Sequence, residues 1–320
     1  MTGRGIGEPA LVESGHRRRP RHRLQMTDRT SPSEQSIVAE QPSDGVAPGV
    51  RRIVSESIPT RDRSLPVLLC RLGGEIGAEA TDERPCQPVD RIVEPLANAV
   101  ASLEGYVRLR QDLLWTDRYD RPADRDAAIL AGDSLHATAY AELADVPTTD
   151  RRAVALYRTL ARGSTTLAIA LRSPASPRPA SEKADDRPDA ILAGTAGSLG
   201  ATAVGATDDV GAALERYGRS LLTALAALPS ERDATRERVA RRLADPLAFD
   251  SSTDSGGSRA SDDRAERTAT PTLESHLRRA RGAVETLEAA TGESADGRTA
   301  LARLERATRI PFQDVLESND

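Results

Sequence analysis

The chain has 320 residues, enough for one large domain or two small ones, and only 2% of the residues are aromatic. The apolar residues are mostly Ala, Leu and Val, without the alternating β-branched and aromatic runs that a β-sandwich or barrel requires. Long stretches of Ala, Leu, Arg and Glu favour helices, because these side chains lose little entropy there. The composition excludes an all-β fold and predicts an all-α protein.

Acidic residues outnumber basic ones by 49 to 44, which gives a net charge of -5, and Lys183 is the only lysine. Such a chain lacks the basic patch of a nucleic-acid-binding protein, so we expect no nucleic-acid partner. No apolar run approaches the roughly 20 residues of a membrane helix, so no transmembrane segment is expected. Cys70 and Cys86 are too few for a disulfide framework and have no metal-ligating neighbours. We expect a soluble, cytoplasmic protein.

The scarcity of lysine has two explanations. An acidic, Lys-poor surface is typical of halophilic proteins, which stay soluble at high salt. A GC-rich coding bias also replaces Lys with Arg and would leave the same composition.

Residues 1–49 carry scattered Pro, Gly, Ser and Arg without a periodic apolar face. This composition cannot offset the entropy lost on ordering, so we predict a disordered N-terminal segment. The basic run at residues 16–23 resembles a nucleic-acid or membrane tag, but it lacks the apolar core of a signal peptide. We favour a start site placed too early, with Met26 as the true first residue.

The helical pattern starts near Val50 and continues through an apolar run at residues 65–72, for which Gly73 and Gly74 predict a C-cap. A long helix is predicted over Val89–Trp115, with Pro95 tolerated near its first turn. Two flexible linkers are predicted from their composition, at residues 172–188 and 250–270. The helical domain then spans residues 50–310 and leaves a C-terminal tail at 311–320. The other predicted helices cover residues 126–143, 150–171, 189–206 and 210–228, followed by a helical hairpin from residue 272.

The helix at residues 126–143 is the one around which we expect the bundle to be organised. Its predicted buried face consists of apolar residues three or four positions apart: Ala128, Ala131, Leu135, Ala139 and Leu143. We expect Asp133 to line the bundle interior or its rim. His136 is expected at the helix surface or between helices, since no second His or Cys accompanies it as a metal ligand.

Part of the sequence of this helix resembles a segment of a known protein family. Ala-Ile-Leu-Ala-Gly-Asp-Ser-Leu at residues 128–135 is similar to the segment after the first Asp-rich motif of trans-isoprenyl diphosphate (polyprenyl) synthases. Two more short motifs typical of the family follow in the expected order, one from Gly200 to Ala206 and one at Tyr217 and Gly218. The resemblance covers roughly residues 50–310. It implies an isoprenoid-synthase-like antiparallel bundle of long helices around a cavity.

The family's chemistry uses two Asp-Asp-x-x-Asp clusters, which hold Mg²⁺ against the allylic diphosphate. In this chain the first cluster retains only Asp112, with Asp117 just beyond it, and the second retains only Asp233. The remaining positions of the second cluster carry Pro229 and Ser230, and a Pro cannot chelate a metal. Asp112, Asp117 and Asp233 are therefore the candidate metal ligands, although we favour solvated or salt-bridged surface acids.

The cations that bind diphosphates in the family are also replaced. Where its Gly-Lys-x-x-Arg-Pro motif falls, Asp62 stands for the Lys and Leu65 for the Arg, leaving Arg63 nearby. Arg121 is the remnant of an Arg-Arg-Gly motif, and Pro188 takes the place of a further Lys. Exchanging Lys for Asp turns attraction for a phosphate into repulsion. Arg63 and Arg121 are the candidate substrate-binding residues.

The kept scaffold and the lost ligands together indicate a degenerate member of the family. We assign no catalytic residue and expect no cofactor, with Mg²⁺ only if activity remains. The protein is expected to act as a non-catalytic subunit, in a homodimer or with an active prenyl synthase, or to bind a prenyl lipid. Two alternatives stay open. One is an active prenyltransferase using Asp112, Asp117, Asp120 and Asp233, and the other is an unrelated helical bundle.

Overall fold

The computed structural model describes residues 47–81, 83, 85, 87–172, 186–228, 232–244, 263–292 and 295–312. Most of the predicted disordered N-terminus, the alternative start at Met26, Cys86 and most of both predicted linkers lie outside these residues, as do positions 313–320. Predictions about those segments remain predictions. The described residues belong to one compact unit, Asp44–Asp320.

Helices make up the architecture, and the described residues contain no strand, which confirms the all-α prediction. Short 3₁₀ turns lie at Arg61–Arg63 and Ile310–Phe312. None of the helices in the described residues has the length and apolar character needed to cross a membrane. The α-helices are α1 (Pro48–Ser57), α2 (Leu65–Glu79), α3 (Val89–Trp115), α4 (Pro122–Ala144), α5 (Asp150–Arg172), α6 (Pro188–Val204), α7 (Asp208–Ala226), α8 (Arg232–Ala244), α9 (Asp263–Thr291) and α10 (Ala295–Arg309).

Local chemistry explains several helix ends. The hydroxyl of Ser64 accepts a hydrogen bond from the Val67 backbone N–H, which caps α2. Thr207 caps α7 in the same way. Such caps are each worth about 1 kcal/mol. At the end of α6, Gly205 adopts a φ of 87°, a left-handed conformation that favours glycine.

The centre of the bundle is α6, in which every residue from 190 to 201 is buried. It packs against α2, α3, α5 and α7. A helix that is apolar on all sides is stable only when it is surrounded, which is the position that α6 has here. The sequence predicted this central role for α4, and that prediction is wrong.

Gly73 and Gly74 do not cap α2, contrary to the prediction, because the helix continues through them. Their role is close packing of helices. A Cβ on Gly73 would overlap the backbone carbonyl of Gly197 on α6, and a Cβ on Gly74 would overlap the side chain of Val93 on α3. Glycine is therefore required at these two positions by tertiary contacts.

One face of α4 is buried as predicted, and it consists of Ala128, Ala131, Leu135, Ala139 and Leu143. The opposite face is exposed in the single chain, where Leu130 is 57% exposed. Asp133 lies on this outer side and accepts a hydrogen bond from Arg110 at 3.0 Å, so it does not line the interior. His136 is half-buried between the rings of Tyr106 and Tyr140, as the sequence predicted.

The last helices complete a second part of the core against α2 and α7. Helix α9 begins at Asp263, so the linker predicted to end at residue 270 ends earlier. The helix formers Arg264, Ala265 and Glu266 explain the difference, because they follow directly on the Ser-, Gly- and Asp-rich stretch. Phe312, predicted as part of the tail, is fully buried in this core.

Candidate ligand cavity

A cavity of about 410 Å³ lies between α2, α3, α6, α7 and α8. Its volume falls within the range of about 300–1,000 Å³ that is usual for small-molecule sites. The walls combine apolar side chains with a small group of charged ones. The lining residues are Pro66, Glu104, Val107, Arg108, Gln111, Asp189, Leu192, Leu222, Asp233 and Arg236.

Helical spacing brings the polar lining residues together. Glu104, Arg108 and Gln111 are four and three positions apart on α3, so they project from one helix face. On α8, Asp233 and Arg236 are three positions apart and also share a face. The cavity is therefore bounded by α3 on one side and α8 on the other.

Glu104 is the most deeply placed charged group of the cavity, with 4% of its surface exposed. The Ser64 hydroxyl donates a hydrogen bond to its Oε2. Arg108 Nη2 donates to its Oε1 at 2.5 Å, and Arg236 Nη2 lies 3.8 Å from the same oxygen. A buried carboxylate is tolerated when it is paired and hydrogen-bonded in this way. The charge of Glu104 is thus neutralised inside the protein.

The rim of the cavity is held by a second polar contact. Gln111 Nε2 donates a hydrogen bond to Asp189 Oδ1 at 3.3 Å, which joins α3 to the start of α6. Arg187 Nη2 lies 4.0 Å from the other oxygen of Asp189. Asp233 is exposed at the opening of the same cavity. Of the three predicted metal ligands, Asp233 alone is among the lining residues.

The other two predicted ligands lie elsewhere. Asp112 Oδ2 accepts a hydrogen bond from Arg118 Nη1 at 2.8 Å, and Asp112 does not line the cavity. Asp117 is exposed in the turn after α3, and Asp120 is exposed before α4. The structure therefore does not gather Asp112 and Asp117 around Asp233.

The arrangement of carboxylates does not suit a Mg²⁺ cluster. Among the described residues, no group of three or more His, Cys, Asp or Glu side chains is placed to hold a metal ion. Magnesium requires near-octahedral oxygen ligands, and the carboxylate of Asp112 is instead paired with Arg118. Pro229 and Ser230 lie outside the described residues. The carboxylates in the described residues therefore do not fit a Mg²⁺ site built from clustered acids.

The predicted substrate-binding cations do not reach the cavity either. Arg63 is exposed in the 3₁₀ turn before α2. Arg121, whose side chain is 86% exposed, pairs with Asp124 at 2.7 Å. The cations of the cavity are Arg108 and Arg236, which sequence reasoning missed. A charged Glu104 beside the apolar face of α3, followed four residues later by Arg108, was the available signal.

A second cavity, of about 430 Å³, lies beside α2, α3 and α10. Both of its arginines are paired with acids of the same cavity. Arg71 donates to Glu94 at 3.0 Å, and Arg303 donates to Glu75 at 2.8 Å. These contacts tie helices together. Of the two cavities, only the first is lined by a predicted site residue, Asp233, and it is therefore the candidate site.

Comparison with known proteins identifies the fold. No family profile matches the sequence, and no curated protein matches it. Solved structures do match. A geranylgeranyl pyrophosphate synthetase from Geoglobus acetivorans is 18% identical, with 82% of this chain and 92% of that chain covered and a TM-score of 0.53. A geranyltransferase from Helicobacter pylori is 16% identical, with 84% and 91% covered and a TM-score of 0.54.

A geranyltranstransferase from Methanosarcina mazei is also similar, at 19% identity, with 84% of this chain and 91% of that chain covered and a TM-score of 0.51. At such identities the likeness shows the fold alone. The chain has the trans-isoprenyl diphosphate synthase fold, which confirms the predicted bundle. A helical bundle of a different fold, as the other alternative would have it, is not what the structure shows.

Proposed function

We propose that this protein is a non-catalytic relative of the trans-isoprenyl diphosphate synthases that works in isoprenoid biosynthesis. The observation that carries the proposal is the internal pairing of the cavity charges, Glu104 with Arg108 and Arg236. Ionisation of an allylic diphosphate needs metal ions to stabilise the leaving group. Among the described residues no group of three acids is placed to hold such ions, and the buried carboxylate of the cavity is already paired with arginine.

The same cavity suits a prenyl chain without turnover. Val107, Leu192 and Leu222 give it apolar walls on three helices. Burial of apolar ligand surface there contributes roughly 25 cal/mol per Å². We therefore include binding of a prenyl lipid in the proposal.

The outer face of α4 and α5 supports a role as a subunit. Leu130, Ala137 and Ala141 on α4 are exposed, as are Val154 and Ile169 on α5. Helices at a solvent-facing surface normally carry polar residues on that side. An apolar patch spread over two neighbouring helices is typical of a protein interface.

The charges on this face favour a second copy of the chain as its partner. On α4 the exposed charges include Asp126 and Asp133, whereas on α5 they include Arg158 and Arg162. A two-fold dimer brings the same patch of both copies together, and in one such arrangement α4 of one copy faces α5 of the other. Opposite charges then meet across the interface, which favours the correct pairing.

The catalytic question is tested by incubating the purified chain with isopentenyl and geranylgeranyl diphosphates and Mg²⁺ at high salt. We expect no product longer than the allylic substrate. Elongated product would contradict the proposal and favour the second candidate, an active prenyltransferase. One observation speaks for that candidate, since Asp189 and Asp233 line the same cavity. Loss of product in Asp233→Asn, but not in Asp117→Asn, would then assign the acid.

The subunit role is tested by measuring the mass of the protein in solution. We expect a dimer that dissociates in Leu130→Arg and Ile169→Arg. Ile58→Arg is the matched control, because Ile58 is also exposed but follows α1 and belongs to neither α4 nor α5. A monomeric wild-type protein would contradict the homodimer. Co-purification with an active prenyl synthase, together with a changed product length, would identify that enzyme as the partner.

A further inference from the structure

Four aromatic side chains form a row where α3, α4 and α5 meet. The rings of Tyr106 and Tyr140 lie 5.0 and 5.2 Å from that of His136, measured between ring centroids, and Tyr157 stacks on Tyr140 at 6.4 Å. This aromatic row gathers three of the five tyrosines of the chain. All four side chains are half-buried, so part of the row is open to solvent. Tyrosines with an apolar ring and a polar tip are enriched at protein interfaces.

The aromatic row borders the exposed face of α4. Asp133, His136 and Tyr140 are three and four positions apart, so they share one strip of the helix. Leu130 and Ala137, which are exposed, lie three positions before and four positions after Asp133. A partner that covers the exposed face of α4 therefore also covers His136.

Two charged side chains face His136. Asp133 comes from α4, and Arg110 comes from α3, where its guanidinium carbon lies 5.4 Å from the centroid of the Tyr106 ring. From α5 the row is completed by Tyr157. The tyrosines stay neutral up to about pH 10. His136 is thus the member of the row whose charge changes between about pH 5 and pH 8.

A second copy of the chain adds two effects at this place. With α4 of one copy facing α5 of the other, the exposed Arg158 and Arg162 of the second copy approach the row. Within the described part of the chain, neither arginine belongs to an ion pair. A neutral aromatic row attracts a guanidinium group, whereas a protonated imidazole repels it. Covering His136 also removes the water that a charged imidazole needs.

We propose that His136 makes the dimer through α4 and α5 sensitive to pH, so that the two copies associate while His136 is neutral and separate when it is protonated. This inference rests on the proposed homodimer and adds its regulation.

The direction of the effect follows from linkage. Burial already lowers the pKa of His136, with Asp133 opposing the shift and Arg110 adding to it. The interface is expected to lower this pKa further, because it adds burial and positive charge. A group whose pKa is lower in the dimer than in the monomer favours the dimer at higher pH and weakens it as the pH falls. A two-fold dimer contains His136 twice, so both copies contribute.

The test is sedimentation equilibrium of the full chain at pH 7.5 and pH 5.5, at one ionic strength. We expect the dimer dissociation constant to be about tenfold higher, or more, at pH 5.5. His136→Phe keeps an aromatic ring that does not titrate, so its dissociation constant should be nearly the same at both pH values. His136→Gln removes the titration without adding apolar surface and should behave alike. Circular dichroism at both pH values verifies that each protein is folded.

His276→Gln is the matched control, because His276 lies on α9 and belongs to neither α4 nor α5. We expect this variant to keep the pH dependence of the wild-type dimer. A dimer with the same dissociation constant at both pH values, or a pH dependence that persists in both His136 variants, would overturn this inference and leave the homodimer standing. A wild-type monomer at pH 7.5 would overturn the homodimer and this inference together.

Discussion

Gly200 on α6 lies directly against the backbone of Cys70 on α2, so close that a Cβ on Gly200 would overlap the Cys70 carbonyl oxygen. This contact sets the separation of the two helices. Pro66 on α2 and Leu192 on α6 both line the cavity, so the contact also fixes the distance between two of its walls. The fold and the candidate site thus depend on the same glycine.

Replacing that glycine is the first prediction. We expect Gly200→Ala to lower the free energy of unfolding by about 3 kcal/mol, since overpacking a core costs about 1–3 kcal/mol or more. The gain in helix propensity, about 1 kcal/mol, does not offset this. Urea denaturation followed by circular dichroism measures the change.

Gly282 on α9 provides the control, because nothing lies within 4 Å of the position its Cβ would take. We expect Gly282→Ala to stabilise the protein by about 0.5–1 kcal/mol. Equal effects at the two glycines would show that the α2–α6 contact is not tight.

The second prediction concerns Tyr217, which is fully buried and donates a hydrogen bond to the Leu304 carbonyl at 2.8 Å. We expect Tyr217→Phe to cost about 1 kcal/mol at pH 7. Tyr157→Phe is the matched variant, since the half-buried Tyr157 donates to the Tyr140 carbonyl at 3.3 Å, and we expect a smaller loss there.

Tyr217 also makes stability depend on alkaline pH. Burial raises the pKa of Tyr217 above its ordinary value of 10. A raised pKa in the folded state gives stability that is complete below the unfolded value and is lost as the pH rises through the folded value. Above about pH 10 we therefore expect a steeper loss of stability in the wild type than in Tyr217→Phe. Parallel curves of stability against pH for the two proteins would contradict this expectation.

The third prediction concerns Arg303, a buried arginine on α10. Its Nε and Nη2 donate to the Leu243 carbonyl at the end of α8, and its Nη1 donates to Glu75 on α2. Burial raises the pKa of Glu75, and the nearby Arg303 charge opposes that shift. We expect Arg303→Ala to lower the free energy of unfolding by about 2–3 kcal/mol, because it leaves the Leu243 carbonyl and the Glu75 carboxylate without their donors.

Thermal and urea unfolding check this value. Arg309→Ala on the same helix is the control, since the exposed i,i+4 pair of Arg309 with Glu305 is worth about 0.5 kcal/mol or less. Arg303→Lys keeps the charge without the forked donors, so we expect it to recover only part of the loss.

The fourth prediction concerns His136, whose ring lies 5.0 Å from Tyr106 and 5.2 Å from Tyr140 between ring centroids. Burial lowers the pKa of His136 below 6.5, with Asp133 opposing the shift and Arg110 adding to it. A lowered pKa gives stability that is present above the unfolded value and is lost as the pH falls through the folded value.

Between pH 7 and pH 5 we therefore expect the wild type to lose more stability than His136→Phe, which keeps an aromatic ring. Between pH 7 and pH 8 the two slopes should coincide, since the histidine is neutral there. If the two proteins differed in pH dependence only between pH 7 and pH 8, a group other than His136 would be responsible.

Sequence periodicity predicted the helices well where local signals agree with packing. The bounds of α3 match the prediction, and the predicted buried face of α4 is buried. Periodicity failed where a distant contact decides the outcome. Gly73 and Gly74 carry the local chemistry of a C-cap, but the approach of α6 gives them another role. The exposure of the outer face of α4 could not be predicted either, because alanine occurs in both buried and exposed positions.

The cavity was harder to predict than the bundle. The family's motifs directed attention to Asp112, Arg63 and Asp233, of which only Asp233 lines the cavity, and they missed Glu104 and Arg236. Glu104 is held by Ser64 from forty positions away, across two helices. No spacing rule within one helix reveals such a pair, since it exists only after the chain has folded.

The two hydrogen bonds of Ser64 have a thermodynamic consequence. One hydroxyl both accepts from the first turn of α2 and donates to Glu104. Whatever changes the bonding of the carboxylate also changes how firmly that first turn is held, and linkage requires the influence to run equally in the other direction. Mutations that tighten or fray the start of α2 should therefore alter how firmly the Glu104 carboxylate is held in the cavity.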